Sequence, residues 1–165
     1  MSKRARQYAG LLCAVISYYL IHEGAHMIYA LITNSFRSLN LVGVLGVQID
    51  IYPEKLTDLQ MGIFCIVGSV ATAAAAYILV ALSDRIGKVA SPVFKACMYY
   101  TTLALLLLDP IYLGILFRFF GGGDMNGIRL LIPEVAAQCI YLGLLLINGF
   151  IFWKIVLPKY KTFFA

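Results

Sequence analysis

Charge is what this sequence has least of. Of its 165 residues only 13% are Asp, Glu, Lys or Arg, against 62% hydrophobic, and the mean hydropathy is +0.88. A soluble domain of this size cannot cover its surface with so few polar side chains, so the chain reads as an integral membrane protein. Cys13, Cys65, Cys97 and Cys139 all fall in apolar runs and show no C-x-x-C spacing, which excludes a thiolate cluster and supplies no disulfide frame. A nucleic-acid patch is also missing. The formal charge of +5 is carried by residues that flank apolar runs, so the lipid bilayer is the expected partner and nucleic acid is not. The basic start at Lys3, Arg4 and Arg6 precedes an apolar run too long for a cleaved signal peptide, so that run is expected to stay as a helix. Spans and short connections take up the rest, leaving no length for an appended sensor or nucleotide-binding unit; residues 1–165 are expected to form a single integral membrane domain.

What is present is a set of four apolar runs, at about 8–33, 59–82, 93–117 and 135–156. The expected fold is an all-α membrane protein with four transmembrane helices. Two stretches break the pattern. Val47-Gln48-Ile49-Asp50-Ile51-Tyr52 alternates with period two, and Gly43 and Gly46 interrupt the run before it. Residues 39–52 therefore read either as a short membrane-associated β-hairpin turning near Val44 and Leu45 or as an interfacial loop. Gly121-Gly122-Gly123-Asp124-Met125-Asn126-Gly127 ends the third helical pattern outright and reads as a re-entrant segment before the last span. Asp109-Pro110, inside the third run, predicts a kink and a carboxylate in need of a partner. Lys3, Arg4, Arg6, Arg85, Lys88, Lys95, Lys154, Lys159 and Lys161 share one expected face, and Arg37, Lys55, Arg118 and Arg129 the other. By the positive-inside rule both termini are cytoplasmic, in what is expected to be a bacterial or archaeal plasma membrane.

The two histidines of the whole sequence stand together in His22-Glu23-Gly24-Ala25-His26, within the first apolar run. Positions four apart share a helix face, so both imidazoles can reach one ion with Glu23 beside them. This is the H-E-x-x-H arrangement of zinc hydrolases, where two His bind Zn²⁺ and the Glu handles the proton of a water. A catalytic zinc needs a third protein ligand, and a carboxylate is the natural one. Asp109 lies at nearly the depth of the histidines; Asp124 follows glycines able to fold back into the bundle, with Asn126 next to it. The residues alone leave both open.

A helix carrying His22-Glu23-Gly24-Ala25-His26 resembles the site-2 protease family of intramembrane zinc proteases, and more loosely small membrane zincins related to it. In that family a later helix carries Leu-Asp-Gly-Gly-Arg, whose Asp is the third ligand. The run Asp124-Met125-Asn126-Gly127-Ile128-Arg129-Leu130-Leu131 looks like a variant in which the Asp-Gly-Gly has become Asp-Met-Asn-Gly. The resemblance implies a metal set of His22, His26 and Asp124, with Asp109 as the alternative third ligand, and Glu23 as the catalytic residue. It further implies a substrate strand pairing with the hairpin near Val47 and Ile49. Gly68-Ser69-Val70-Ala71-Thr72 echoes the family's Gly-Pro-x-x-Asn, which makes Thr72, with Asn126, a candidate substrate contact. The expected activity is hydrolysis of a peptide bond by a zinc metalloendopeptidase whose substrate is a single-span membrane protein or a hydrophobic peptide. The alternative keeps the zinc and drops the hydrolysis, giving a non-catalytic membrane interaction protein.

Overall fold

The computed structural model describes residues 2–42, 46–120 and 123–164. Helix α1, Lys3–Ile32, begins where the Ser2 hydroxyl accepts from the Ala5 N–H (3.2 Å), an N-cap arrangement. It ends where the Thr33 hydroxyl turns back to donate to the Tyr29 carbonyl (2.9 Å). Strands β1 (Phe36–Val42) and β2 (Gly46–Ile51) then pair antiparallel, with Leu39 opposite Ile49 and Leu41 opposite Val47. The alternating segment is thus a hairpin and not a loop; its first strand starts three residues earlier than expected, and the turn at Val44 and Leu45 lies outside the described residues. Ile49 and Ile51 point into the core, while Leu39 and Leu41 are exposed.

Helix α2, Asp58–Ala81, opens with a capping box in which Thr57 and Gln60 satisfy each other's backbone N–H groups. A short α3, Ser83–Gly87, leads to α4, Pro92–Ile111, with Ser91 as N-cap and Pro92 in the first turn, where its missing N–H costs nothing. Pro110 cannot donate to the carbonyl of Leu106. That carbonyl instead accepts from the Asn148 side-chain amide, at 2.7 Å, and α4 continues as a π turn over Tyr112–Leu116. After α5, Met125–Ile128, helix α6 runs Glu134–Ile151 and passes through a second π turn, Phe152–Val156, into α7, Leu157–Phe164. Pro158 removes the donor that would hold the Lys154 carbonyl, and the helix widens just ahead of it.

Among the described residues four helices are long and apolar enough to cross a membrane: Lys3–Ile32, Asp58–Ala81, Pro92–Leu116 and Glu134–Phe164. The first begins five residues earlier than the apolar run suggested, because Ser2 caps it inside the basic segment. The last extends past the expected Val156, because the π turn absorbs Pro158 without ending the helix. α1 packs along α2 and α4, α6 packs on α4, and α5 tucks against α2. One end of the bundle gathers the start of α1, α3 and α7, where Lys159 pairs with Asp84 at 2.8 Å. The other end carries the hairpin, α5 and the Glu134 carboxylate, held by Arg118 (3.0 Å) and Arg129 (3.2 Å).

Candidate metal centre

His22 and His26 lie one turn apart on the face of α1 that meets α2 and α4, and both are buried. Their Nε2 atoms are 3.2 Å apart. Asp124 Oδ2 sits 3.2 Å from Nε2 of His22 and 3.5 Å from Nε2 of His26. Three atoms bound to one zinc at about 2.0–2.1 Å with tetrahedral angles would be separated by about 3.3–3.4 Å. The observed edges, 3.2, 3.2 and 3.5 Å, fall on either side of that value, so these side chains could hold a metal ion with only small adjustments. Asp124 reaches the histidines because α5 lies close on α2. A Cβ at Gly127 would fall on the Cys65 sulfur, so only glycine permits this approach. Burial by itself pushes the Asp124 carboxyl up, but hydrogen bonds with His22 and His26 and their charge outweigh it and hold it down at about 2.

The remaining side of the triangle is kept clear by a glycine on α2. A Cβ at Gly68 would sit 2.5 Å from Nε2 of His26 and 2.8 Å from Nε2 of His22. Alanine would therefore intrude on both imidazoles, which only glycine at this position leaves clear.

Asp109 occupies a different place. Its Oδ1 lies 3.2 Å from Nδ1 of His22, on the side of the ring away from Asp124, though off the line of a good hydrogen bond. The Tyr18 hydroxyl donates to Oδ1 at 2.5 Å, and the Thr72 hydroxyl donates to Oδ2. Tyr18 also stacks on the His22 ring, with centroids 5.2 Å apart. Depth along the helices brings Asp109 level with the histidines, as the sequence suggested, but behind one of them. A carboxylate in that position stands where a small turn of the ring would let it accept from Nδ1–H and orient the imidazole. The Thr72 hydroxyl is fully buried and given to Asp109, so it faces the carboxylate and not an open substrate site.

Glu23 projects from the neighbouring side of α1, and its Oε2 accepts from the backbone N–H of Ile49 at 3.3 Å. That bond shows which way β2 faces. The N–H of Ile49 points away from β1, and by strand alternation so does that of Val47. The free edge of the hairpin therefore runs beside the H-E-x-x-H face. Asn126, one residue past Met125 at the base of α5, is exposed and its Oδ1 accepts from Arg129 at 2.9 Å. Tyr18 and Gly68 were not singled out for the centre by residue pattern. Tyr18 had a signal, being four residues before His22 on the same face; Gly68 showed only as the first residue of the motif echo ending at Thr72.

No family model matches the chain, and no curated protein or solved structure matches it.

Proposed function

We propose that this chain is an intramembrane zinc metalloprotease, related to the site-2 proteases, that hydrolyses a peptide bond of a membrane-embedded or membrane-associated substrate. The observation that carries the reading is the convergence of His22, His26 and Asp124 into a triangle of zinc dimensions beside Glu23. In this reading His22, His26 and Asp124 hold Zn²⁺, which when bound supplies Lewis acidity and a water that ionises near neutral pH. Glu23 takes the proton of that water on a carboxylate oxygen and passes it to the leaving amine. Asp109, held by Tyr18 and Thr72, keeps His22 in place.

The substrate must present an extended backbone in a helix-rich environment; the outer edge of β2 would pair with it at Val47, and at Ile49 once Glu23 gives up the Ile49 N–H. In this reading Asn126 would hold a substrate carbonyl. A single-span protein or a hydrophobic peptide suits this edge. Both termini are assigned to the cytoplasm by the distribution of Lys and Arg, which puts the centre in the half of the membrane away from them.

A non-catalytic reading draws on the bond from Ile49 to Glu23, which occupies an oxygen the hydrolytic role requires. Glu23→Gln separates the two. For a protease, zinc content stays stoichiometric while cleavage of a reconstituted single-span substrate falls by about 10²–10⁴. Zinc retained with no cleavage by the wild type of any of a panel of single-span substrates would favour the non-catalytic reading; absence of zinc from the wild type would remove both.

A further inference from the structure

At the end of the bundle opposite the hairpin, a groove of about 730 Å³ opens between the start of α1, the start of α4 and α7. Its rim carries Lys3, Arg6 and Lys161, and its walls are made largely by Tyr99, Tyr100 and Tyr160. The Arg6 guanidinium is half-buried and lies 5.8 Å from the centre of the Phe164 ring. Among the described residues no Asp or Glu side chain lines the groove. Among the described residues none of the three cations has an ion-pair partner, and Asp84, at the same end, is taken by Lys159. Three positive charges around one concavity repel one another unless an anion enters it.

We propose that this groove binds the phosphate of an anionic phospholipid from the adjoining leaflet. Lys3 and Arg6 stand at the head of a spanning helix, where the headgroup layer begins. The cations suit a phosphate. The aromatic walls below them suit the glycerol and upper acyl chains, from which a free phosphate ion would gain nothing. Size agrees as well, since pockets of about 300–1,000 Å³ are typical for small-molecule ligands. The site lies away from the metal centre and does not depend on what that centre does.

The test uses the full chain, reconstituted in mixed phosphatidylglycerol and phosphatidylcholine vesicles, re-extracted in mild detergent, and assayed for bound lipid by mass spectrometry. Phosphatidylglycerol should be enriched over its share of the vesicles. Arg6→Gln and Lys161→Gln should each reduce the enrichment about fivefold, the effect of one basic residue near an anionic surface. Lys55→Gln, at the other end, should leave it unchanged, and millimolar inorganic phosphate should not displace the lipid. Equal retention of both lipids by the wild type, or full enrichment in the Arg6→Gln/Lys161→Gln double variant, would overturn the assignment. Displacement by inorganic phosphate would overturn it too, in favour of a site for the free ion. The variants alter rim charges only, and the wild-type enrichment is decisive even if one of them fails to fold.

Discussion

Asp109 backs His22: its Oδ1 is 3.2 Å from the ring nitrogen that faces away from the metal triangle, while Asp124 stands 3.2 Å from the nitrogen that faces into it. The two carboxylates thus approach one imidazole from opposite sides, and their removal should have different consequences. Asp124→Asn takes away a ligand and should strip zinc from the purified protein. Asp109→Asn should leave zinc bound but lower its affinity by about 10–100-fold, the usual effect of losing an orienting carboxylate. Titration against a chromophoric chelator measures both. The reverse order of affinities would make Asp109 the ligand.

Gly68→Ala tests the same geometry from α2. Alanine favours a helix over glycine by about 1 kcal/mol, so helicity by circular dichroism should hold. Its Cβ would lie within 2.8 Å of the Nε2 atoms of both histidines, so zinc should be lost. Stoichiometric zinc in this variant would show that the ligand atoms are not where the ion binds.

Acid should release the metal in a defined order. In the metal-free protein Asp124 is held at about 2, since its pairing with His22 and His26 outweighs the effect of burial. A carboxyl depressed in this way keeps its charge as the pH falls below the ordinary carboxylate range, and its contribution is lost only as the pH approaches that value. Zinc release on acidification should therefore not track the titration of Asp124. Zinc occupancy measured from about pH 8 down to about pH 2 checks this. A release midpoint near pH 3 would contradict it.

Much of this arrangement could be read from local spacing. The ligand pair lies within one helical turn, and period-two alternation in Val47–Tyr52 marked the strand beside it. Choosing between Asp109 and Asp124 was a different matter. Helical rise gives depth but not the direction a side chain faces around the axis, so Asp109 looked well placed when it stands behind His22. Asp124 reaches the site through an irregular segment with no period to extrapolate, and only the resemblance to a family motif selected it. Thr72 meets the same limit: a hydroxyl on a buried helix face advertises a hydrogen bond without naming its partner, which here is Asp109.

Asn148 offers a check on the bundle that does not involve metal. Its amide donates to the Leu106 carbonyl that Pro110 leaves without a helical donor, at 2.7 Å, and its own carbonyl oxygen accepts from the Tyr77 hydroxyl at 2.7 Å. Asn148→Leu leaves the buried Leu106 carbonyl without its donor, which costs about 1–3 kcal/mol, and takes the acceptor from the more exposed Tyr77 hydroxyl, which costs less. Denaturation in detergent should show the loss. Pro110→Ala restores an N–H four residues after Leu106, so the carbonyl regains a partner inside α4. Asn148→Leu should then cost less in the Pro110→Ala background than in the wild type. The remaining cost comes from the Tyr77 hydroxyl, which loses its acceptor in either background. Equal costs in the two backgrounds would mean that Asn148 does not compensate for the proline. A smaller cost makes the pair one device, by which α4 keeps a proline next to Asp109 without leaving an open carbonyl in the core.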